Sequence, residues 1–122
     1  MKKTVATGIP FQVTDWNTLP QTTHPGETGS ALWKTLQPSP QLRIREVVYS
    51  PGYLADHWCE KGHVLYVLEG SIVSELATGE KFVMNQGCSY VVSDTLSSHR
   101  SYSEHGTKLL IIDGDFLKVQ DH

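Results

Sequence analysis

The sequence predicts an all-β chain, a sandwich or barrel of short strands, on three observations. Short segments rich in apolar and β-branched residues recur from Leu42 onward at a spacing of roughly 8–12 residues. Each closes on a turn signal built from Gly, Asn or Pro. No window beyond residue 42 keeps a helical apolar period of about 3.6 residues, so long helices are not expected.

Taken in order, "LRIREVVYS" begins at Leu42, alternates, and stops at Pro51–Gly52. "HVLYVLEG" is a continuous apolar run that starts at His63 and ends at Glu69–Gly70. A run of that kind is expected to be covered on both faces. "SIVSEL" follows and stops at Thr78–Gly79. "KFVM", "SYVVS" and "KLLIID" supply further strands, punctuated by "NQG", "HG" and "DGD". Residues 1–41 read differently. They hold Pro10, Pro20, Pro25, Pro38 and Pro40, with loop signals at "HPGETGS" and "QPSPQ". They are expected to form an irregular N-terminal arm packed on a barrel domain of residues 42–122, with Trp16 and Trp33 to bury. "ALWKTL" within the arm fits either a strand or one helical turn.

A chain of 122 residues is one domain, and 39% hydrophobic against 19% charged residues argues for a folded one. The net charge is 10 − 13 = −3, and no run of Lys and Arg exceeds two. That excludes the basic footprint of a nucleic-acid binder and argues against an anionic membrane surface. Lys2 and Lys3 resemble the start of a signal peptide, but no apolar stretch of about 7–15 residues follows. No segment approaches the roughly 20 apolar residues of a membrane span, so the cytoplasm is the expected location. Cys59 and Cys88 are too few for a secreted disulfide framework, and a disulfide between them is not expected.

The chemistry concentrates in "ADHWCEKGHVLYVLEG", residues 55–70. Of the six histidines, His24, His105 and His122 fall in predicted loops or at the terminus. His57 and Cys59 are two apart, so on a strand both side chains face one side. "EKG" reads as a turn that starts a second strand at His63, and a hairpin of this form brings His57, Cys59 and His63 toward one point. His99, in "SSHRSYS", is placed to complete the set from a neighbouring strand. Imidazole and thiolate suit transition metals better than magnesium or calcium. Trp58 is expected to point away from the site, into a core or an interface.

From Gly52 to Gly70 the chain resembles the first motif of the cupin superfamily: Gly52, four residues, His57-x-Cys59, three residues, His63, six residues, Gly70. "YVLEG" matches a common cupin ending. Gly87 opens the second motif, and His99 falls one residue after its histidine position. Asp94, Leu96 and Ser103 stand where that motif has Pro, Gly and Asn. "DHWCEKGH" and "GETGSALWKT" also look like a small bacterial cupin group named for a DHCW motif.

The resemblance implies an antiparallel jelly-roll β-barrel, a homodimer, and one divalent transition metal (Fe, Zn, Ni, Mn or Cu). Its ligands map to His57, Cys59, His63 and His99, with Cys59 in place of a second histidine and His63 in place of a glutamate. Cys59 stands either as a fourth ligand or as a thiol lining the pocket. Tyr66, Tyr90 and Arg100 are candidates for contact with a small-molecule substrate. Two functions follow: a metal-dependent enzyme of dioxygenase or isomerase type, or a non-catalytic cupin module that binds a small molecule or a metal. A barrel without metal, holding Cys59 as a buried or redox-sensitive thiol, is a third reading.

Overall fold

The structure is a computed structural model that describes residues 8–119. The lysines at the start of the chain and His122 lie outside them. Among the described residues there are nine strands: β1 (Gln21–Pro25), β2 (Ser30–Ser39), β3 (Leu42–Tyr49), β4 (Tyr53–Leu54), β5 (His63–Leu76), β6 (Lys81–Asn85), β7 (Ser89–Val92), β8 (His99–Ser103) and β9 (Thr107–Gly114). Helix is confined to single turns at Trp16–Thr18 and Asp115–Leu117. Among the described residues no helix is long and apolar enough to cross a membrane.

The strands pair antiparallel in the order β1-β2-β3-β9-β5-β8-β4, with β6 and β7 also on β5. The first part of β5 pairs with β7 and β9, and its second part with β6 and β8. Between these parts the register with β9 shifts at Val67/Glu69, and Gly70 takes φ +78°. A bulge followed by a left-handed glycine bends a strand, so β5 passes from one sheet to the other and the two close on a common interior. The fold is an antiparallel jelly-roll barrel.

Strand alternation decides what faces inward. Ala31, Val47, Leu65, Val67, Ile72, Met84, Leu109 and Ile111 form the apolar core. Each fully buried aliphatic side chain contributes on the order of 1.5–3 kcal/mol. At the end where β3, β5 and β8 begin and β9 finishes, the same inward rows become polar. Arg45, His63, His99, Ser101 and Asp113 are all buried there.

Three sequence expectations differ from the structure. Part of the stretch read as an irregular arm forms β1 and β2, which extend the sheet from β3; "ALWKTL" is strand because its alternate residues Ala31 and Trp33 pack on the core. β5 is covered on one face only in its first half: His63, Leu65 and Val67 are buried while Tyr66 is 42% exposed. The hairpin expected around "EKG" is absent, because residues 55–58 form an irregular bend before a single bridge at Cys59.

Candidate metal centre

Cys59 reaches the site through backbone, without a strand of its own. Its N–H donates to the His99 carbonyl at 2.7 Å, and the His99 N–H donates back at 3.1 Å. This two-bond bridge fixes the thiol beside the first residue of β8. The chain from Glu60 to Gly62 is then clamped from outside. The Thr95 N–H donates to the Glu60 carbonyl at 2.8 Å, and the Gly62 N–H to Asp94 Oδ1 at 2.6 Å. Gly62 lies against backbone: a Cβ there would stand 2.5 Å from the Val92 carbonyl oxygen and 2.6 Å from Asp94 N. The next residue, His63, starts β5 with its ring inside the barrel.

Donor atoms of Cys59, His63 and His99 all lie within 4.8 Å of one another. The Nε2 atoms of His63 and His99 are 3.2 Å apart. His99 Nδ1 donates to the Ser97 carbonyl at 2.8 Å, which leaves Nε2 as its inward nitrogen. The Tyr90 hydroxyl lies 2.9 Å from His63 Nε2, and His63 Nδ1 is buried without a hydrogen-bond partner.

The electrostatics of His63 and Cys59 favour ligand forms, whereas His99 is pushed toward its protonated form and must release a proton to ligate. Burial, then the neighbouring charges of His99 and Arg45, push the His63 pKa down to about 3, so its imidazole is neutral. Burial alone raises the Cys59 thiol, but the His99 imidazole and a backbone contact at Lys61 outweigh it and hold the pKa below the usual range. Burial lowers His99, and the Cys59 contact reverses this to a net rise. Neutral imidazole and thiolate are the species that bind transition metals. The two facing Nε2 atoms and the adjacent thiol together fit a metal of that class.

The other expected residues stand as follows. His57 lies outside this cluster, with its side chain 74% exposed and Nδ1 2.6 Å from Asp56 Oδ1. The irregular bend replaces the strand that was to align it with Cys59, so it sits at the mouth of the cavity instead. Tyr90 faces inward and touches the site. Tyr66 is on the outer face of β5. Arg100 borders the cavity but binds Glu75 Oε1 at 3.2 Å, and its guanidinium lies 4.7 Å over the Trp58 ring. Trp58 is accordingly a half-exposed rim residue and not part of the core. Both cysteines are free thiols.

Sequence reading missed Arg43, Arg45 and Asp113. In "LRIREVVYS" the apolar residues Leu42 and Ile44 would be assigned inward and the arginines outward. The structure reverses this: Leu42 and Ile44 are half-buried on the outer face of β3, along a groove that Ile9, Trp16 and Leu36 also line. The arginines face the barrel interior. A cavity of about 260 Å³ lies between them and the Cys59–His63–His99 cluster.

A closed antiparallel jelly roll is a fold this chain has in common with cupins. Solved cupin structures share it. An RmlC-like cupin from Shewanella frigidimarina is 18% identical, with a TM-score of 0.66 over 83% of this chain and 87% of that one. A sugar phosphate isomerase of the cupin superfamily from Silicibacter pomeroyi is 15% identical, with a TM-score of 0.66 over 84% and 75%. The Fe(II) form of HppE is 14% identical, with a TM-score of 0.69 over 85% and 60%. At these identities the likeness shows the fold. No protein-family model matches the sequence, and no curated protein matches it.

Proposed function

We propose that this chain is a small metal-binding cupin whose divalent transition metal is held by Cys59, His63 and His99, and that it acts on a small molecule in the adjoining cavity. The observation that carries the reading is the convergence of three donor atoms within 4.8 Å, two of them on buried imidazoles. The metal would supply Lewis acidity, and redox chemistry if it is iron. Cys59 brings the only anionic donor of the three, which makes the site softer than an all-histidine one. Ser97 orients His99 through Nδ1, the usual way in which an outer partner fixes a ligand tautomer. Tyr90 sits where its hydroxyl can meet both His63 and a bound molecule. His57 and Arg100 border the entrance.

The D-H-W-C block at residues 56–59 supports placing the chain near the DHCW-motif cupins. Two free thiols suit a reducing compartment, which supports the cytoplasm. Exposed Phe11 and Val13 in the N-terminal segment support a homodimer in which this segment meets a second copy; light scattering at micromolar concentration tests it, and a monomer contradicts it.

Elemental analysis of purified protein tests the main reading. About one equivalent of a transition metal per chain is expected in the wild type, and none in a folded His99→Ala variant. Equal metal content in the two proteins overturns the assignment.

A further inference from the structure

The inner face of β3 and β9 carries more positive charge than negative. The register of β3 with β9 sets Arg43 beside Asp113 and Arg45 beside Ile111, with both arginines on the inward side. Arg43 donates to Asp113 from Nε at 3.1 Å and from Nη2 at 2.9 Å. Arg45 donates to the same carboxylate from Nη2 at 3.1 Å. Two guanidinium groups thus share one carboxylate, and one positive charge is left over. Arg45 is only 6% exposed, and its Nε is buried without a partner. The two other cations on the cavity, Lys61 and Arg100, each have their own acid, Asp94 at 3.9 Å and Glu75 at 3.2 Å. The surplus therefore belongs to the arginine pair.

Arg43 is one-third exposed and meets water, whereas Arg45 is buried with its guanidinium 4.4 Å over the Trp33 ring. A buried cation short of a full counter-ion is costly, and a bound anion would offset that cost. Here the surplus lies on a cavity of about 260 Å³ that the donor cluster also lines. That volume is below the roughly 300–1,000 Å³ of sites for drug-sized ligands, so the occupant is compact. The guanidinium fork matches a carboxylate in shape, and one surplus charge matches a monoanion.

We propose that the cavity takes a small organic acid, its carboxylate held against the Arg43–Arg45 wall and its other end directed at Cys59, His63 and His99. This rests on the metal reading above: a divalent cation against one thiolate adds positive charge to the cavity and favours an acid further. Arg45 is a positioning residue in this scheme, with Asp113 holding it in place.

The test is calorimetric titration of zinc-loaded protein with pyruvate, lactate and malonate, and with methyl pyruvate and inorganic phosphate as controls. At least one of the three acids is expected to bind, with methyl pyruvate at least tenfold weaker than pyruvate if pyruvate is the one. Arg45→Met is expected to weaken that acid at least tenfold with its zinc stoichiometry unchanged. Arg45→Lys, which keeps the charge and loses the fork, is expected to fall between the two and keeps the test usable if Arg45→Met does not fold. Acid binding that is unchanged in zinc-loaded Arg45→Met or Arg45→Lys overturns the inference. So does failure of all three acids to bind, or phosphate binding more tightly than any of them. Failure of the wild type to bind zinc is a different result. It removes the metal reading, and Arg45-dependent acid binding by the metal-free protein then still supports the arginine wall.

Discussion

The Nε2 atoms of His63 and His99 lie 3.2 Å apart although 36 positions separate the residues in the chain. Nitrogens bound to tetrahedral zinc at about 2.0–2.1 Å stand roughly 3.3 Å from each other. The protein therefore holds two imidazoles at nearly ligand spacing: His63 by the start of β5 and the Tyr90 hydroxyl, His99 by the bridge to Cys59 and the Ser97 carbonyl.

Removing either imidazole is expected to abolish tight metal binding without unfolding the barrel. The apolar core is built by Ala31, Val47, Leu65, Val67, Ile72, Met84, Leu109 and Ile111, none of which is a donor of the cluster. Competition of His63→Gln and His99→Ala with a chromogenic zinc chelator is expected to show affinity losses of more than ~100-fold, since even outer partners of ligands are worth about 10–100-fold. Circular dichroism is expected to keep its β signature in both variants. Full zinc affinity in either variant contradicts the assignment.

Cys59 is half-buried and its thiol is held below the usual pKa, so it is expected to react with iodoacetamide. Zinc is expected to protect it. Mass spectrometry of the labelled peptides separates Cys59 from the exposed Cys88, which serves as an internal control. Equal labelling of Cys59 with and without zinc would leave it as a pocket thiol and not a ligand.

Tyr90→Phe is expected to keep zinc binding and to lose about 0.5–1.5 kcal/mol of stability, the usual net value of one part-buried hydrogen bond. Urea unfolding of the metal-free protein measures it. A loss of zinc together with the hydroxyl would place Tyr90 among the ligands.

Asp113 gives a pH dependence with a definite sign. Its burial opposes ionisation, but the hydrogen bonds from Arg43 and the charges of Arg43 and Arg45 outweigh this and hold its carboxyl below the ordinary value of 3.8. A depressed folded-state pKa contributes stability that is complete above the unfolded value and is lost as pH falls through the folded one. Stability is thus expected to decline below about pH 3.8 from this group. Asp113→Asn removes the acid from a buried pair and is expected to cost on the order of 3–5 kcal/mol at neutral pH. Its stability curve is expected to be flatter in the acid range, as measured by thermal unfolding from pH 2 to 7. An equally steep acid limb in the variant contradicts the assignment.

Gly62→Ala forces a methyl group to within 2.5 Å of backbone oxygen. Overpacking of this kind typically costs about 1–3 kcal/mol. Because Gly62 lies between Cys59 and His63, the variant is also expected to bind zinc more weakly. A variant of wild-type stability would mean that the 60–62 segment moves freely.

The strand grammar of residues 42–113 was readable because turns and alternation are local signals; His63 and His99 were singled out by a hairpin that the structure replaces with a bend and by the resemblance to the cupin motifs. The first two strands were hidden by prolines, although Pro25 and Pro38 lie in β1 and β2 near strand ends where a missing N–H is tolerated. His57 shows the limit of spacing arguments. Two residues apart means one face only on a strand, and at His57 there is none. Arg43 and Arg45 were hidden by a different cause. Alternation tells the two faces of a strand apart but does not say which is inside, and the apolar face of β3 lines an outer groove.

The central claim is that Cys59, His63 and His99 together hold one metal. Anomalous diffraction at the zinc edge from crystals grown with zinc tests it most directly. The account predicts one strong peak per chain inside the barrel, bonded to Cys59 Sγ, His63 and His99. A barrel interior without a peak, or a peak held by other side chains, would contradict it.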